Sequence, residues 1–325
     1  MNVTLVGAGA WGAALGKLLH EAGHQVTLWD IDPATLDDLR SGRSPRYLPG
    51  VALPTGWLVE SDWARAVGSA ECVVLAVPST VFRETARRLA NSSALLVSVT
   101  KGIEYETGET MCQVLRDSCP KAPIAALSGP TFALEVARGI PTAIVCASQS
   151  DDIARQVQQL FHRPTFRVYR SLDLRGVELG GALKNVVAIG AGVCDGLGYG
   201  DNSKAALVTR AISEMRRLGV ACGALPETFS GLSGLGDLTV TCFSRLSRNR
   251  SLGERLGRGE TMSAILASAP KLAEGYPTAR SAFRLARARG VDTPIIDEVY
   301  AMLYQAKPVA QAVQDLLSRA LKAED

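Results

Sequence analysis

The first half of the chain alternates short apolar runs with longer amphipathic stretches. The runs are rich in Val, Ile and Leu and are continuous rather than alternating, which is typical of strands covered on both faces in a parallel sheet. The predicted strands are 2–6, 25–29, 72–77, 94–99, 124–127 and 142–147. The predicted helices are 12–22, 33–41, 80–90, 108–117 and 151–161. This alternation predicts an α/β domain of the Rossmann type with a doubly wound sheet.

After about Arg170 the strand-like runs become rare and long helical stretches follow. The predicted helices are 177–194, 202–218, 247–258, 277–288 and 295–305, with helix breakers at 196–200 and 230–237. The second half is therefore expected to be an all-α domain. Two domains also suit 325 residues, which are too many for one core of ordinary size. We expect an α/β domain over 1–172 and a helical domain over 173–325.

Composition narrows the class of protein. Hydrophobic residues make up 47% and charged residues 21%, and the net charge is only +3, so neither nucleic acid nor a membrane surface is expected as a partner. The seven cysteines form no CxxC pair, and the three histidines have no metal-ligand spacing, which predicts a reduced, cytoplasmic protein without a metal. The N-terminal apolar run is interrupted by four glycines and Lys17. We expect neither a signal peptide nor a membrane span there.

A glycine-rich turn follows the first predicted strand. Gly7, Gly9 and Gly12 have the spacing G-x-G-x-x-G, and a predicted helix follows. The first glycine permits a tight turn, the second lets the backbone approach a pyrophosphate, and the third lets helix and strand pack closely. A tight turn without a ligand is the alternative. The strand, the helix and a following acidic residue are the context that this dinucleotide-binding motif requires.

Asp30 ends the second predicted strand. A carboxylate there can accept hydrogen bonds from the adenosine ribose diol and would repel the 2′-phosphate of NADP, which usually needs an arginine nearby. Arg40, Arg43 and Arg46 lie well downstream in the sequence. The alternative is that Asp30 caps the following helix, as Asp32 also could. The ribose reading favours NAD over NADP.

Polar residues follow two further predicted strands. Lys101 comes shortly after the fourth strand, and Ser128, Gly129 and Thr131 follow the fifth. Open α/β sheets bind ligands at the carboxyl ends of their strands. The alternatives are an ordinary surface lysine in the first case and the start of a helix in the second.

Lys184 is placed in an unusual helix. Lys184 and Asn185 are the only strongly polar residues between positions 180 and 192. A helix that is apolar all round is buried, and burial is expected to lower the pKa of a lysine so that it can exchange protons near neutral pH. The alternative is a lysine that extends its ammonium group to water.

Two further groups complete the candidate chemistry. Asp237 and Thr241 are four residues apart, so on a helix they would share a face and could orient a lysine or a substrate hydroxyl. Ser247, Arg248 and Asn249 lie near a predicted helix start, and arginine suits bidentate phosphate contacts. A solvated basic face or a weak nucleic-acid patch is the alternative. The absence of interleaved aromatic residues counts against nucleic acid.

With these motifs in view, the sequence resembles NAD(P)-dependent glycerol-3-phosphate dehydrogenase of the bacterial type over essentially its whole length. The matching motifs are GAGAWG at 7–12, RYLPG at 46–50, AVPS at 76–79, TKGIE at 100–104, SGPTFA at 128–133, LGGALKNVVAIGAG at 179–192, GLGDL at 234–238, SRNR at 247–250 and EGYPTA at 274–279. Their order and spacing follow the family.

The resemblance implies reversible hydride transfer between C2 of sn-glycerol 3-phosphate and the nicotinamide, which interconverts that substrate with dihydroxyacetone phosphate and supplies glycerophospholipid precursor. It implies that Lys184 accepts the C2 hydroxyl proton during oxidation, with Asp237, Thr241 and Asn185 completing the catalytic set. The implied substrate-binding residues are Lys101, Gly129, Thr131, Lys184, Asp237, Ser247, Arg248 and Asn249. The expected coenzyme contacts are Gly7, Gly9, Ala10, Trp11, Gly12, Asp30, Tyr47, Lys101, Ala133, Arg248, Leu272 and Glu274. The apolar helices of the second half make a homodimer the expected assembly.

The chain departs from the family pattern near the coenzyme. Many relatives have a basic residue directly after the second strand, consistent with NADP use, whereas Ile31 follows Asp30 here. Leu272 stands where many relatives have valine. The expected coenzyme is therefore NAD(P)H, with NAD favoured over NADP.

Two other functions fit parts of the pattern. A β-hydroxyacid or 6-phosphogluconate-type dehydrogenase has the same two kinds of domain and a lysine base. A nicotinamide-sensing binding protein would need the first domain, but it would not need the set of Lys184, Asp237 and Arg248.

Overall fold

The computed structural model describes residues 1–268, 273–321 and 323. The chain forms two compact units. The first consists of Met1–Lys101 and Thr110–Glu178, and the second of Gly102–Glu109 and Leu179–Asp325.

The first unit is a sheet with helices on both faces. Its strands are β1 (Asn2–Val6), β2 (Gln25–Trp29), β3 (Leu58–Glu60), β4 (Cys72–Leu75), β5 (Leu95–Ser98), β6 (Ile124–Ser128), β7 (Thr142–Ala147) and β8 (Phe166–Ser171), in the order β3-β2-β1-β4-β5-β6-β7-β8. Its helices are α1 (Ala10–Glu21), α2 (Pro33–Arg40), α3 (Trp63–Val67), α4 (Phe82–Arg87), α5 (Met111–Ser118), α6 (Ala133–Ala137) and α7 (Asp151–Phe161), and α8 (Leu174–Gly196) begins in this unit. Successive side chains of a strand point to opposite faces. Val3 and Leu5 pack in the cluster that includes α1 and α7, and Val6 packs in the cluster that includes α4 and α5. The predicted doubly wound fold is confirmed.

The continuous apolar runs had predicted a parallel sheet, but the sheet is not wholly parallel. β7 pairs with β6 in the antiparallel direction, and the other strand pairs are parallel. The helix between them, α6, has only five residues and is too short to carry the chain back along the sheet. The sequence patterns also missed β3 and β8. β3 has three residues, and β8 alternates buried and exposed side chains at the sheet edge, so neither gives a continuous apolar run.

The second unit is helical. After α8 come α9 (Asp201–Ala221), α10 (Asp237–Phe243), α11 (Arg248–Gly257), α12 (Met262–Ser268), α13 (Gly275–Arg289), α14 (Pro294–Tyr304) and α15 (Val309–Leu317). The predicted breaker at 230–237 is only partly correct, because Leu232–Gly236 forms a π-helical turn that leads directly into α10. α12 and α15 were not predicted. α8 is the one described helix long and apolar enough to cross a membrane by length and composition, and 94% of its most apolar window is buried within the protein.

Glycines bring the backbones of α8 and α11 into contact. A Cβ on Gly192 or Gly196 of α8 would overlap the carbonyl oxygens of Arg250 and Glu254 in α11. In the other direction, a Cβ on Gly253 of α11 would overlap the carbonyl oxygen of Ile189 in α8. Gly257 adds a contact of the same kind. Only glycine permits so close an approach, and its Cα–H groups can then face the opposing carbonyl oxygens.

We expect Gly192→Ala to lower the free energy of unfolding by about 1–3 kcal/mol or more, because the new methyl group overlaps backbone that has no rotamer with which to yield. Gly190→Ala is the matched control in the same helix. Its Cβ would lie 3.5 Å from Leu207 Cδ2, an ordinary contact, and alanine favours a helix over glycine by roughly 0.5–1 kcal/mol. Urea denaturation of both variants measures the difference. Equal midpoints would contradict the packing account.

Candidate active site

The glycine turn after β1 has the geometry that its sequence predicts. Gly7 has φ +94°, and a Cβ there would lie 2.8 Å from the carbonyl oxygen of Ala76. A Cβ on Gly12 would overlap the carbonyl oxygen of Gly7. These two glycines are therefore required by the fold itself, one for a left-handed turn and one for the close packing of α1 on that turn.

Gly9 is different, because the protein around it does not require a glycine. Its φ of −66° suits any residue, and within the described residues no heavy atom beyond its own chain neighbours and the adjoining helix backbone lies within 4 Å of a Cβ built there. Gly9 is the N-cap of α1, so the space in front of it is next to the exposed amides of the helix N-terminus. A dinucleotide pyrophosphate fits this open face, which has positive potential and no side chain in the way.

The carboxylate of Asp30 lies beside the glycine turn. Its Oδ2 accepts a hydrogen bond of 2.8 Å from the backbone N–H of Ala8, and its Oδ1 accepts one of 3.0 Å from Asp32. The cap of α2 is Asp32, whose Oδ1 accepts from the N–H of Ala34 at 3.1 Å. Of the two roles considered from the sequence, helix capping therefore belongs to Asp32. Asp30 is held against the turn, and its two oxygens keep lone pairs for further donors.

Arg46 lies well downstream of Asp30 in the sequence, but in the structure it contacts Asp32. Its Nη2 lies 2.8 Å from Asp32 Oδ2 and donates to Thr35 Oγ1 at 3.0 Å. The Arg46 guanidinium lowers the pKa of the Asp32 carboxyl below its usual value. The position of Arg46 next to Tyr47 in the RYLPG motif was the signal that could have drawn attention to it.

The polar residues after β5 and β6 meet in the first unit. Lys101 Nζ donates to the carbonyl oxygen of Gly129 at 2.9 Å, and Thr131 Oγ1 donates to the same oxygen at 3.1 Å. Gly129 has φ +150°, and its Cβ would lie 3.2 Å from the Cα of Ile144 in β7. Because β1, β2, β4, β5 and β6 are parallel, this cluster lies at the same edge of the sheet as the glycine turn.

In the second unit, Lys184 is buried and paired. Its side chain is 8% exposed, and its Nζ lies 2.9 Å from Asp237 Oδ1 and donates to Thr241 Oγ1 at 2.7 Å. Thr241 in turn donates to the backbone oxygen of Asp237 at 2.6 Å. Asp237 and Thr241 share one face of α10, as their spacing predicted. The burial of Lys184 thus comes with a carboxylate that compensates its charge, which makes a buried cation tolerable.

Asn249 connects three elements of the second unit. Its Nδ2 donates to Asn185 Oδ1 at 2.9 Å, and its Oδ1 accepts from the backbone N–H of Gly275 at 2.8 Å. α8, α11 and α13 are therefore joined next to Lys184. Gly275 was not singled out from the sequence. A Cβ there would lie 2.5 Å from the carbonyl oxygen of Asn185, so a side chain at this position would break the junction.

Ser247 and Arg248 begin α11. Ser247 is buried and caps the helix, its Oγ accepting from the backbone N–H of Arg250 at 3.2 Å. Arg248 occupies the first helical position and is exposed. Its charge and five donors are thus available at the surface beside a helix N-terminus.

The remaining candidates belong to the coenzyme set expected from the sequence. Trp11, Tyr47 and Ala133 are partly buried against the core of the first unit. Glu274 is partly buried and immediately precedes α13. Leu272 lies outside the described residues.

An open glycine face for a pyrophosphate and a buried lysine paired with a carboxylate define a nicotinamide-dependent dehydrogenase. Comparison with known proteins gives the family. A model described as NAD-dependent glycerol-3-phosphate dehydrogenase N-terminus matches residues 2–154, and the corresponding C-terminus model matches 173–314. The chain belongs to the NAD-dependent glycerol-3-phosphate dehydrogenase family.

Individual relatives match this chain over nearly their full length. The chain is 47% identical to glycerol-3-phosphate dehydrogenase [NAD(P)+] of Geobacter sp. (strain M21), covering 99% of this chain and 98% of that protein. It is 48% identical to the protein of the same name from Syntrophotalea carbinolica, covering 100% and 99%. The crystal structure of glycerol-3-phosphate dehydrogenase from Coxiella burnetii superposes with a TM-score of 0.94 at 34% identity, covering 98% of this chain and 99% of that chain.

We expect Gly9→Ala to weaken NADH binding by about tenfold or more, because the methyl group would enter the space that a pyrophosphate needs. The free energy of unfolding should change little, since the new Cβ meets no other part of the described chain within 4 Å. Gly200→Ala is the matched control, because Gly200 is also a helix N-cap with extended backbone and open surroundings. NADH fluorescence titration measures binding. Unchanged affinity in Gly9→Ala would refute the assignment of the pyrophosphate to this face.

Proposed function

We propose that the chain interconverts sn-glycerol 3-phosphate and dihydroxyacetone phosphate by NAD(P)-dependent hydride transfer, with Lys184 as the acid–base. The single observation that carries the proposal is the buried Lys184–Asp237–Thr241 network in a member of this family. The product of the reductive direction is the backbone of glycerophospholipids, so supply of that precursor is the physiological role.

The bound coenzyme supplies or accepts the hydride, and the residues of this chain handle one proton and hold the reactants. The amine of Lys184 accepts the proton of the C2 hydroxyl during oxidation, and its ammonium form donates a proton to the carbonyl oxygen during reduction. Asp237 and Thr241 fix the position of Nζ through two contacts. Asn185 follows Lys184 on α8 and supports the site through Asn249.

The substrate phosphate is assigned to the start of α11. Arg248 offers a fork of donors beside the amides of a helix N-terminus, both of which favour a phosphate. Ser247 and Asn249 belong to the same turn, and both are buried and already hydrogen-bonded, so they keep that turn in place as well as offering contacts. Binding energy at the phosphate can then be used to position C2.

The first unit is assigned the coenzyme through Gly7, Gly9, Ala10, Trp11, Gly12, Asp30, Tyr47 and Ala133. Lys101, Gly129 and Thr131 are assigned contacts with the substrate, and Lys101 is also assigned one with the coenzyme. In the second unit, Arg248, Glu274 and Leu272 are the remaining coenzyme candidates. These roles correspond to a dinucleotide-binding domain over 1–172 and a helical substrate-binding and catalytic domain over 173–325.

NAD is the favoured coenzyme. The Asp30 carboxylate is fixed against the glycine turn by two backbone amides, so it cannot move away from a ribose that lies there. A fixed carboxylate accepts hydrogen bonds from a ribose diol and repels a 2′-phosphate.

The proposed setting is the cytoplasm and the proposed assembly a homodimer. Seven free cysteines, six of them buried, suit a reducing compartment. Leu235 and Phe243 of the second unit are each 42% exposed, and apolar side chains of this kind suit an interface between copies.

We expect Lys184→Ala to lower kcat for dihydroxyacetone phosphate reduction by at least about 10²–10⁴-fold, because the proton donor is lost. NADH affinity should stay within about twofold, since Lys184 handles the proton and not the dinucleotide. The measurement is NADH oxidation at 340 nm together with fluorescence titration. Lys121→Ala is the control, because Lys121 is an exposed lysine in the loop before β6. Substantial residual kcat would remove Lys184 as the acid–base, and turnover of 3-hydroxy acids in preference to the phosphorylated substrate would favour a β-hydroxyacid dehydrogenase.

We expect NADH to bind at least about tenfold more tightly than NADPH, because a phosphate beside the Asp30 carboxylate meets like charge. Asp30→Asn should reduce that ratio by removing the charge while keeping an acceptor for the Ala8 N–H. Fluorescence titration of both coenzymes measures the ratio. Tighter NADPH binding to the wild type would overturn the preference.

A further inference from the structure

Arg46 is held by the carboxylate of Asp32, whose backbone is hydrogen-bonded to Asp30, the residue assigned to the ribose. The guanidinium contacts Asp32 Oδ2 at 2.8 Å and Thr35 Oγ1 at 3.0 Å, and its Nε lies 3.8 Å from Asp38 Oδ2. Its Cζ also lies 5.6 Å from the centre of the Tyr47 ring. The side chains of Arg46 and Asp32 are 48% and 38% exposed, so the pair is at the surface and open to a ligand.

The same Asp32 is tied to Asp30. Its backbone N–H donates to Asp30 Oδ1 at 3.0 Å, while its side chain accepts from Arg46. The guanidinium and the Asp30 carboxylate thus contact opposite ends of one residue. A phosphate on the 2′-oxygen of a ribose bound at Asp30 would lie near that residue, within the range of a long arginine side chain.

We propose that Asp32 acts as a coenzyme-specificity residue by holding Arg46 in an ion pair and so withholding it from a 2′-phosphate. The inference rests on the proposed coenzyme site and deepens it. Asp30 disfavours NADP through its own negative charge, and Asp32 disfavours NADP by pairing with Arg46. The chain thus has an arginine suited to NADP but keeps it neutralised. Arginine released from Asp32 can offer two parallel donors to a phosphate.

The fold permits a direct test because Asp32 can be replaced without losing its cap on α2. Serine and asparagine are both good N-caps, so Asp32→Ser and Asp32→Asn keep an acceptor for the Ala34 N–H while removing the charge. Asp37→Ser is the matched control. Asp37 lies on the same helix and carries the same charge, but its partner is Arg40, at 2.7 Å.

The probes are adenosine 2′,5′-bisphosphate and adenosine 5′-monophosphate, each titrated as a competitor of bound NADH by fluorescence. The measured quantity is the ratio of their dissociation constants, which isolates the 2′-phosphate and does not depend on turnover. We expect Asp32→Ser and Asp32→Asn to shift the ratio toward the bisphosphate by about tenfold, the order of one charge-assisted hydrogen bond. Asp37→Ser should shift it less than twofold, and adding Arg46→Gln to Asp32→Ser should cancel the gain.

Three results would overturn this inference but leave the proposed function intact. The first is an equal shift in Asp32→Ser and Asp37→Ser, which indicates a general charge effect. The second is a gain in Asp32→Ser that survives the addition of Arg46→Gln. The third is a loss of bisphosphate affinity in Arg46→Gln alone, relative to the wild type, which means that Arg46 already serves the phosphate. A different result would overturn the proposed function as well, namely no displacement of NADH by either nucleotide in the wild type. Thermal unfolding midpoints of all variants confirm that each protein tested is folded.

Discussion

The direct contact between the backbones of α8 and α11 is the constraint on which the helical unit depends. α8 carries the lysine at its centre, and α11 carries the arginine at its first turn. With four glycines at the crossing, no side chain separates the two helices, so their axes are close enough for Asn249 to reach Asn185. The lysine assigned to proton transfer and the turn assigned to the phosphate are thus held at a fixed separation by packing, before any substrate contributes.

Charge is handled differently in the two units. In the helical unit the lysine is enclosed, and its charge is balanced by Asp237, which itself is 2% exposed. In the sheet unit the features assigned to the dinucleotide include strand ends and a helix N-terminus, where backbone amides provide the positive potential. Buried carboxylates serve as helix anchors in both units. Glu178 accepts from the start of α5, and Glu214 accepts from the start of α14, where burial raises its pKa to about 7.

The parts of the structure that follow from local pattern could be predicted from the sequence. Continuous apolar runs gave the bounds of β1, β2 and β7, and the glycine spacing gave the turn at Gly7. The four-residue spacing of Asp237 and Thr241 gave a shared face even though the segment before them seemed too rich in glycine for a helix. Of the two partners that the spacing left open, a lysine or a substrate hydroxyl, Lys184 lies beside this face in the structure.

Features that depend on distant contacts could not be predicted in the same way. The direction of β7 is set by the length of α6, and Arg46 reaches Asp32 through the loop after α2 rather than through sequence proximity. Gly275 donates its backbone N–H to Asn249, which any residue except proline could do. Glycine is needed there because a Cβ would meet the backbone of Asn185, and only the packed structure shows that contact. Catalytic roles come from the family resemblance rather than from spacing.

The dependence of the lysine helix on residues far downstream has a consequence for biosynthesis. A nascent chain that stops before Arg248 carries a complete α8 with no α11 to cover Gly192 and Gly196, and until Gly275 is made Asn249 lacks one of its partners. During that interval a helix apolar enough to resemble a membrane span is only partly enclosed. The stretch of translation between these positions is thus where the protein would be most exposed to aggregation and most in need of a chaperone.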